Sequence, residues 1–253
     1  MRRDLLVMGG MGVALGVVLG QMGFFEGERM GRGLVNAGRF ARDLFPPDAS
    51  VTPTAVKAML ETVQMAFAGT LLGFLLSLPL GVLGVRFLFP RPVTYPARLL
   101  SAWVRTVPAL LWAILFVIVV GLGPLAGTLG IALYTVGYLS KLYADLFEGT
   151  DPEVVEAVRG VGASRLHLVR FVVFPEGANG VLAQLLFMLE YNIRASAILG
   201  FVGAGGIGFL LQAYIQTLEY QRLATVLLLL LGVVLGMEAL GGWVRRRFLL
   251  TPS

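Results

Sequence analysis

The sequence predicts an all-α membrane protein that crosses the bilayer about six times and carries one helix–turn–helix loop outside it. Of its 253 residues, 57% are hydrophobic and only 14% are charged, whereas soluble domains are about 45–50% apolar and about a quarter charged. The mean hydropathy is +0.83, so the excess apolar surface must face lipid. Several apolar runs also reach the length of about 20 residues that a helix needs to cross the hydrocarbon core.

Six segments meet this length, and together they predict a single transmembrane domain over residues 1–253. Their approximate bounds are 5–25, 58–85, 107–123, 125–143, 178–199 and 223–244. The first segment has the basic start of a signal peptide, but no small-x-small cleavage site follows it, so we expect a retained helix. Glycines four residues apart favour close helix packing. They are Gly12, Gly16 and Gly20, Gly69 and Gly73, and Gly232 and Gly236.

Basic residues at the ends of these segments predict the orientation of a multi-pass protein in the cell membrane. If both termini are cytoplasmic, thirteen of the twenty Lys and Arg residues, including Arg2 and Arg3, lie on the cytoplasmic side, as the positive-inside rule requires. The segment 26–57 would then lie outside. Its five basic and four acidic side chains nearly cancel, and we interpret it as an interfacial segment that ends at Pro46-Pro47.

The composition also argues against several kinds of chemistry. The chain has no cysteine and a single histidine, His167, so we expect no metal site, no bound cofactor and no catalytic residues. The basic residues flank apolar runs and form no stripe on a polar domain, which argues against nucleic acid as a partner. The phosphate-binding pattern Gly-x-x-x-x-Gly-Lys-Ser/Thr is absent, so this chain is not expected to hydrolyse ATP itself.

The loop at residues 145–176 is predicted to form a helical hairpin in the cytoplasm. Thr150 and Glu153 fit a capping box, and Pro152 suits a first helical turn. A stripe of valines then follows at helical spacing, and glycines close the helix. The stripe is Val154, Val155, Val158 and Val161, and the glycines are Gly160 and Gly162. A second helix is expected to start at Ser164 and to end at Pro175.

This hairpin resembles the cytoplasmic loop of permeases from binding-protein-dependent ABC importers. That loop reads Glu-Ala-Ala, three residues, Gly, nine residues, Ile-x-Leu-Pro. Here Glu156 and Ala157 are followed by Gly162 and, nine residues later, by Val172-Val173-Phe174-Pro175. The resemblance implies that the first helix docks in a cleft of a separate ATP-hydrolysing subunit. It assigns ATPase coupling to Glu156, Ala157, Gly162 and Pro175.

A glycine-rich segment follows the fifth predicted span. Gly203-x-Gly205-x-x-Gly208 matches the dinucleotide-binding fingerprint, but that pattern has meaning only between a strand and a helix of a βαβ unit, and no parallel-sheet pattern is present. We expect a re-entrant turn, which is tolerated where it is buried in protein or lines a cavity.

The run Glu190-Tyr-Asn-Ile-Arg-Ala-Ser-Ala-Ile-Leu-Gly200, followed by Val202-Gly-Ala-Gly-Gly-Ile-Gly208, is similar to the phosphonate-transport permeases. That resemblance covers roughly residues 45–245. It implies two permease copies, two ATPase subunits that hydrolyse ATP, and an external binding protein for phosphonate or a related phosphorus oxyanion such as phosphite or phosphate. A homodimer and a heterodimer both remain open.

Glu190 and Arg194 are charged residues inside a predicted span, where a central charge costs about 2.5–3.5 kcal/mol on lenient scales. They are four residues apart and can pair on one helix face. Arg194, with Asn192 and Ser196, either lines the route of an anion or belongs to a structural tether at a gate. The residues assigned to the translocation path or gate are Glu190, Asn192, Arg194, Ser196, Gly203, Gly205, Gly206 and Gly208.

Two other classes of transporter remain as alternatives. Methionine and quaternary-amine permeases of ABC importers share the glycine turn. A secondary transporter driven by protons or sodium is less favoured, because acidic residues within the spans are few and no internal repeat is evident.

Overall fold

The computed structural model describes residues 2–249, with side chains for residues 7–247. The described residues are mostly helical and contain no strand, which confirms the all-α prediction. Residues 1 and 250–253 and the side chains of Arg2 and Arg3, which entered the orientation argument, lie outside the described part. Within the described part, residues 2–47 and 48–249 form separate compact units.

The first unit consists of two helices, α1 (Arg2–Gln21) and α2 (Gly27–Asp43). The predicted span 5–25 ends early, because Gly23 adopts a left-handed φ of +76° and turns the chain. Helix α2 is strongly amphipathic. Arginines occupy one face, whereas Met30, Leu34 and Ala37 occupy the other. Such a pattern is typical of interfacial helices, and the interfacial placement of segment 26–57 stays a prediction.

The second unit contains the remaining helices and four short turns of tighter or wider helix. The helices are α3 (Thr52–Leu83), α4 (Arg91–Thr106), α5 (Ala109–Val120), α6 (Pro124–Glu148), α7 (Pro152–Gly160), α8 (Arg165–Leu168), α9 (Phe174–Leu199), α10 (Ile207–Gln216) and α11 (Tyr220–Val244). By length and hydropathy, three continuous helical stretches are able to cross a membrane: Ala49–Leu83, Arg165–Val202 and Tyr220–Arg247. The pair α4 and α5 adds a fourth if a bent pair counts as one span.

The segment 107–123 does not form the straight span that the sequence predicts. Helix α5 has only 12 residues, and it meets α4 at an angle of 86°. Val107 precedes Pro108 and takes an extended conformation, with φ −82° and ψ 121°. A proline disfavours helical geometry at the residue before it, so the apolar run is broken there.

Helices α3 and α6 run parallel and form the centre of the second unit. Gly69 faces Ile131, Gly73 faces Thr135, and Gly81 faces Tyr143. A Cβ at Gly73 would lie only 2.5 Å from the Thr135 side chain, so the prediction of close packing at Gly69 and Gly73 is confirmed. A Cβ added at Gly12, Gly16, Gly232 or Gly236 would meet no atom of another described element within 4 Å.

Helices α4 and α9 run antiparallel to α6. Ser140 donates a hydrogen bond to Ser101, and the Tyr143 hydroxyl lies 3.4 Å from the carbonyl of Val181. Helix α11 starts beside α3, where Arg222 Nε lies 3.2 Å from a carboxylate oxygen of Asp48. The second unit therefore has two ends: a glycine-turn end at residues 203–206 and a hairpin end at residues 149–165.

The second loop helix does not stop at Pro175, and the predicted span does not start afresh at residue 178. Residues 165–202 form one continuous helical stretch. A wide π-helical turn, Val169–Val173, precedes the proline, which then lies in the first turn of α9. Such a turn relieves the clash between a proline ring and the preceding turn, so the helix continues through Pro175.

Candidate functional site

The hairpin at the end of α6 forms largely as its sequence predicts. The N-cap of α7 is Asp151, whose carboxylate accepts a 2.9 Å hydrogen bond from the amide of Glu153. The expected capping box of Thr150 and Glu153 is therefore wrong by one residue. Gly162 turns the chain with a left-handed φ of +82°, and Ser164 caps α8.

One face of the hairpin is fixed to the rest of the protein. Arg159 donates a hydrogen bond to the carbonyl of Phe87, and its guanidinium lies 5.9 Å from the centre of the Phe87 ring. Arg165 lies over the ring of Phe89 in the same way, at 5.7 Å. Val155 is buried against these residues. The hairpin is thus held against the turn between α3 and α4.

The opposite face of the hairpin is open. Glu156, Ala157 and Gly162 are exposed, and Val161 shows 85% of its surface to solvent. Exposed apolar side chains beside a charged residue form a surface that a partner can cover. Pro175 is exposed as well, but it lies on the continuous helix beyond the hairpin turn.

Ion pairs next to the hairpin join the ends of α3, α4 and α6. Arg98 pairs with Glu148 and lies 3.5 Å from Asp145. Its Nε donates a 2.7 Å hydrogen bond to the carbonyl of Gly84. Arg86 lies 3.7 Å from Glu148. These contacts hold the ends of the three helices together beside the hairpin, which directly follows Glu148.

The glycine-rich segment lies at the other end of the unit. Gly203, Gly205 and Gly206 have φ values of +84°, +80° and +69°, which only glycine adopts readily. Gly208 packs on the backbone of α9, and a Cβ there would lie 1.9 Å from the carbonyl oxygen of Ala197. The segment is a tight turn from α9 into the short helix α10.

Two residues that the sequence gave no reason to select hold this turn in place. The carboxylate of Glu61 accepts a 3.1 Å hydrogen bond from the amide of Gly206. The hydroxyl of Thr62 accepts a 2.7 Å hydrogen bond from the amide of Ile207. Both lie on α3, so they cap α10 from a distant part of the chain. The residues directly before Ile207 include no capping side chain, so the sequence carried no signal for the roles of Glu61 and Thr62.

Asn192 and Ser196 are buried in the interior and do not line a surface. The amide of Asn192 donates hydrogen bonds to Thr70 at 2.8 Å and to Thr135 at 2.9 Å, so it links α9 to the two central helices. Ser196 donates to the carbonyl of Asn192. The carbonyl oxygen of the Asn192 side chain has no partner within the described residues.

Glu190 pairs with Arg245 and not with Arg194. The distance between Arg245 Nη1 and Glu190 Oε1 is 3.0 Å, and only 12% of the Glu190 side chain is exposed. Arg245 is 55 residues from Glu190 in the sequence, and the fold brings it close through α11. The pair of Glu190 with Arg194, which the i, i+4 spacing predicted, is therefore wrong. Arg194 is exposed, and within residues 7–247 it has no ion-pair partner.

Replacing Glu190 with glutamine should destabilise the protein, because Arg245 would lose the carboxylate that offsets its partial burial. We expect a loss of about 2 kcal/mol, less than for a fully buried pair because Arg245 is partly exposed. Thermal unfolding in detergent of E190Q, R245Q and the double variant measures the pairing. The double variant should lose less than the sum of the single variants. Stability losses that simply add in the double variant would contradict the observed pair. So would a coupling between E190Q and R194Q as large as that between E190Q and R245Q.

The described part of the chain holds no cluster of three or more His, Asp or Glu side chains that could bind a metal ion.

An all-α, multi-pass membrane protein with a short helical hairpin at one end fits the class of transporter subunits that span the membrane. Residues 69–249 match the family described as binding-protein-dependent transport system inner membrane component. The chain belongs to this family, and it is therefore a permease component of a transport system.

Several known proteins are similar to the chain. It is 37% identical over 213 residues to the phosphate-import permease protein PhnE of Mycolicibacterium smegmatis, which covers 84% of this chain but only 40% of that protein. It is 33% identical over 245 residues to the phosphite transport system permease protein PtxC of Stutzerimonas stutzeri, with 95% of this chain and 89% of the relative aligned. An inward-facing structure of the MetNI methionine ABC transporter matches with a TM-score of 0.70 at 23% identity, over 79% of this chain and 98% of the other. That match shows the fold alone.

Proposed function

We propose that this chain is the membrane permease of an ATP-driven importer for phosphonate or a related phosphorus oxyanion. The observation that carries the proposal is the hairpin, which is fixed to the turn between α3 and α4 on one face and open on the other. A separate ATPase subunit docks on the open face, around Glu156, Ala157 and Gly162. Hydrolysis of ATP there moves the hairpin, and the ion pairs of Arg98 carry the movement into the spanning helices.

The substrate class rests on the two relatives named for phosphate and phosphite transport, which are 37% and 33% identical. The methionine transporter is similar in fold at a lower identity of 23%, so a methionine or quaternary-amine permease is the second candidate. An external binding protein delivers the substrate to the glycine-turn end. A second copy of the permease completes the translocation path, and both termini lie in the cytoplasm.

Uptake into proteoliposomes tests the proposal directly. The permease would be reconstituted with its ATPase and binding protein, and the uptake of methylphosphonate, phosphite, phosphate and methionine would be compared. We expect uptake of at least one phosphorus oxyanion. This uptake should require ATP on the side of the membrane that carries the ATPase subunit, and ionophores should not inhibit it. Uptake of methionine alone would favour the second candidate. Uptake that needs an ion gradient and no ATP would overturn the ABC importer assignment.

A further inference from the structure

Three tyrosines from two helices form a stack in the middle of the second unit. The ring of Tyr134 on α6 lies between those of Tyr138 and Tyr191, with both centroid distances at 6.0 Å and interplanar angles of 27° and 24°. Tyr134 and Tyr138 are partly buried, and Tyr191 on α9 is 37% exposed. The edge of this stack therefore reaches an open surface.

Two arginines flank the stack. Arg105 lies in the last turn of α4, and its amide nitrogen is 2.6 Å from the position that a Cβ on Gly137 would take; Gly137 lies between Tyr134 and Tyr138 in the sequence of α6. Arg194 lies one helical turn beyond Tyr191 on α9. Both arginines are exposed, and among the described residues neither has an ion-pair partner.

We place these arginines at the depth of the membrane interior, because α6 and α9 coincide with two of the spans that the sequence predicts. Gly137 is near the middle of α6, and Asn192, two residues before Arg194, bonds to Thr135 at the same level. The sequence argument counted Arg105 among the cytoplasmic charges, but its position beside Gly137 is well inside α6. An unpaired arginine facing lipid at this depth is costly, so such residues face a water-filled cavity or another chain.

The nearby carboxylate does not neutralise them. Glu190 directly precedes Tyr191, but it is taken by Arg245 at 3.0 Å. The surface around the stack therefore carries two uncompensated positive charges and three phenol groups. Guanidinium groups bind oxyanions through paired, charge-assisted hydrogen bonds, and a phenol adds a further donor.

We propose that Arg105, Arg194 and the Tyr134–Tyr138–Tyr191 stack form a binding site for a phosphorus oxyanion on the permease itself, within the translocation path. This inference rests on the proposed function for the choice of anion. It assigns part of the selectivity to this chain and not only to the external binding protein. The buried amide of Asn192 holds α9 in the position that presents Tyr191 and Arg194.

Binding of methylphosphonate to the full-length permease in nanodiscs of uncharged lipid tests the site without the other subunits. Calorimetry should detect binding to the natural protein, and R105Q and R194Q should each weaken it about tenfold or more, as expected for the loss of a charged hydrogen-bond donor. Y134F should have a smaller effect. R247Q, which removes an exposed arginine near the C-terminal end, is the matched control and should bind normally.

Uptake by the complete importer separates this inference from the proposed function. If the wild-type complex imports a phosphorus oxyanion, and R105Q and R194Q import it equally well, the site is wrong and the function stands. If the wild-type complex imports none, the proposed function itself fails. If the glutamine variants weaken only the association of the two permease copies, with binding unchanged, the arginines are tethers and the site is overturned. R105K and R194K keep the charge and should retain measurable binding, which guards against a general folding defect.

Discussion

Replacing Gly208 with valine is expected to prevent correct folding of the second unit. A Cβ at this position would lie 1.9 Å from the carbonyl oxygen of Ala197 and 2.9 Å from the Cα of Gly200. Both obstacles are backbone atoms of α9 and the following turn, so a change of rotamer cannot relieve the clash. Overpacking usually costs about 1–3 kcal/mol, and we expect a greater loss here because α10 must move away from α9.

Yield and thermal midpoint of the detergent-extracted protein measure this effect. G208V should accumulate poorly or elute as an aggregate. G236V is the matched control, because Gly236 also lies in a helix but has no neighbour within 4 Å in the described chain. It should behave like the natural protein. A monodisperse G208V with an unchanged midpoint would show that α10 does not pack on α9 as described.

Replacing Gly162 with valine is expected to abolish most ATP-driven uptake while the chain still inserts and folds. No atom lies within 4 Å of a Cβ at Gly162, but its φ of +82° is strained for any other residue. The left-handed region costs an L-residue roughly 1–2 kcal/mol, and a β-branched side chain tolerates it poorly. In the valine variant the hairpin turn would change conformation to avoid this strain. The population of hairpins in the conformation that docks on the ATPase would then fall about tenfold.

The matched control for this variant is G160V. Gly160 ends α7 two residues earlier, it is equally open, and its φ is not positive. Uptake, membrane yield and co-purification with the ATPase should be measured for both variants. We expect G162V alone to lose uptake. Equal uptake by the two variants, at equal yield, would contradict a role for the hairpin turn in coupling.

Patterns that are local in the sequence predicted the structure well. The hairpin depends on an N-cap, a glycine with positive φ and a second cap, all within fifteen residues. Gly162 and Ser164 were predicted at their own positions, and the N-cap was predicted one residue too early. The packing of Gly69 and Gly73 likewise follows from their spacing. The straight span at 107–123 was wrong because hydropathy averages over Val107-Pro108, where the backbone turns.

Contacts between distant helices could not be predicted in this way. Glu190 had a suitable partner four residues away, and nothing in the sequence showed that α11 would bring Arg245 closer. Glu61 and Thr62 cap a helix about 145 residues further on. The tyrosine stack joins α6 to α9 and appears only once their antiparallel register is fixed.

The continuous helix from Arg165 to Val202 has the proportions of an unequal lever. Its 38 residues extend about 57 Å at 1.5 Å per residue. We take Asn192 as the pivot, because its hydrogen bonds to Thr70 and Thr135 attach this helix to α3 and α6. They leave an arm of about 40 Å toward the hairpin and one of about 15 Å toward the glycine turn. If the helix rocked about Asn192, a swing at the hairpin would give a displacement nearly three times smaller at Gly203.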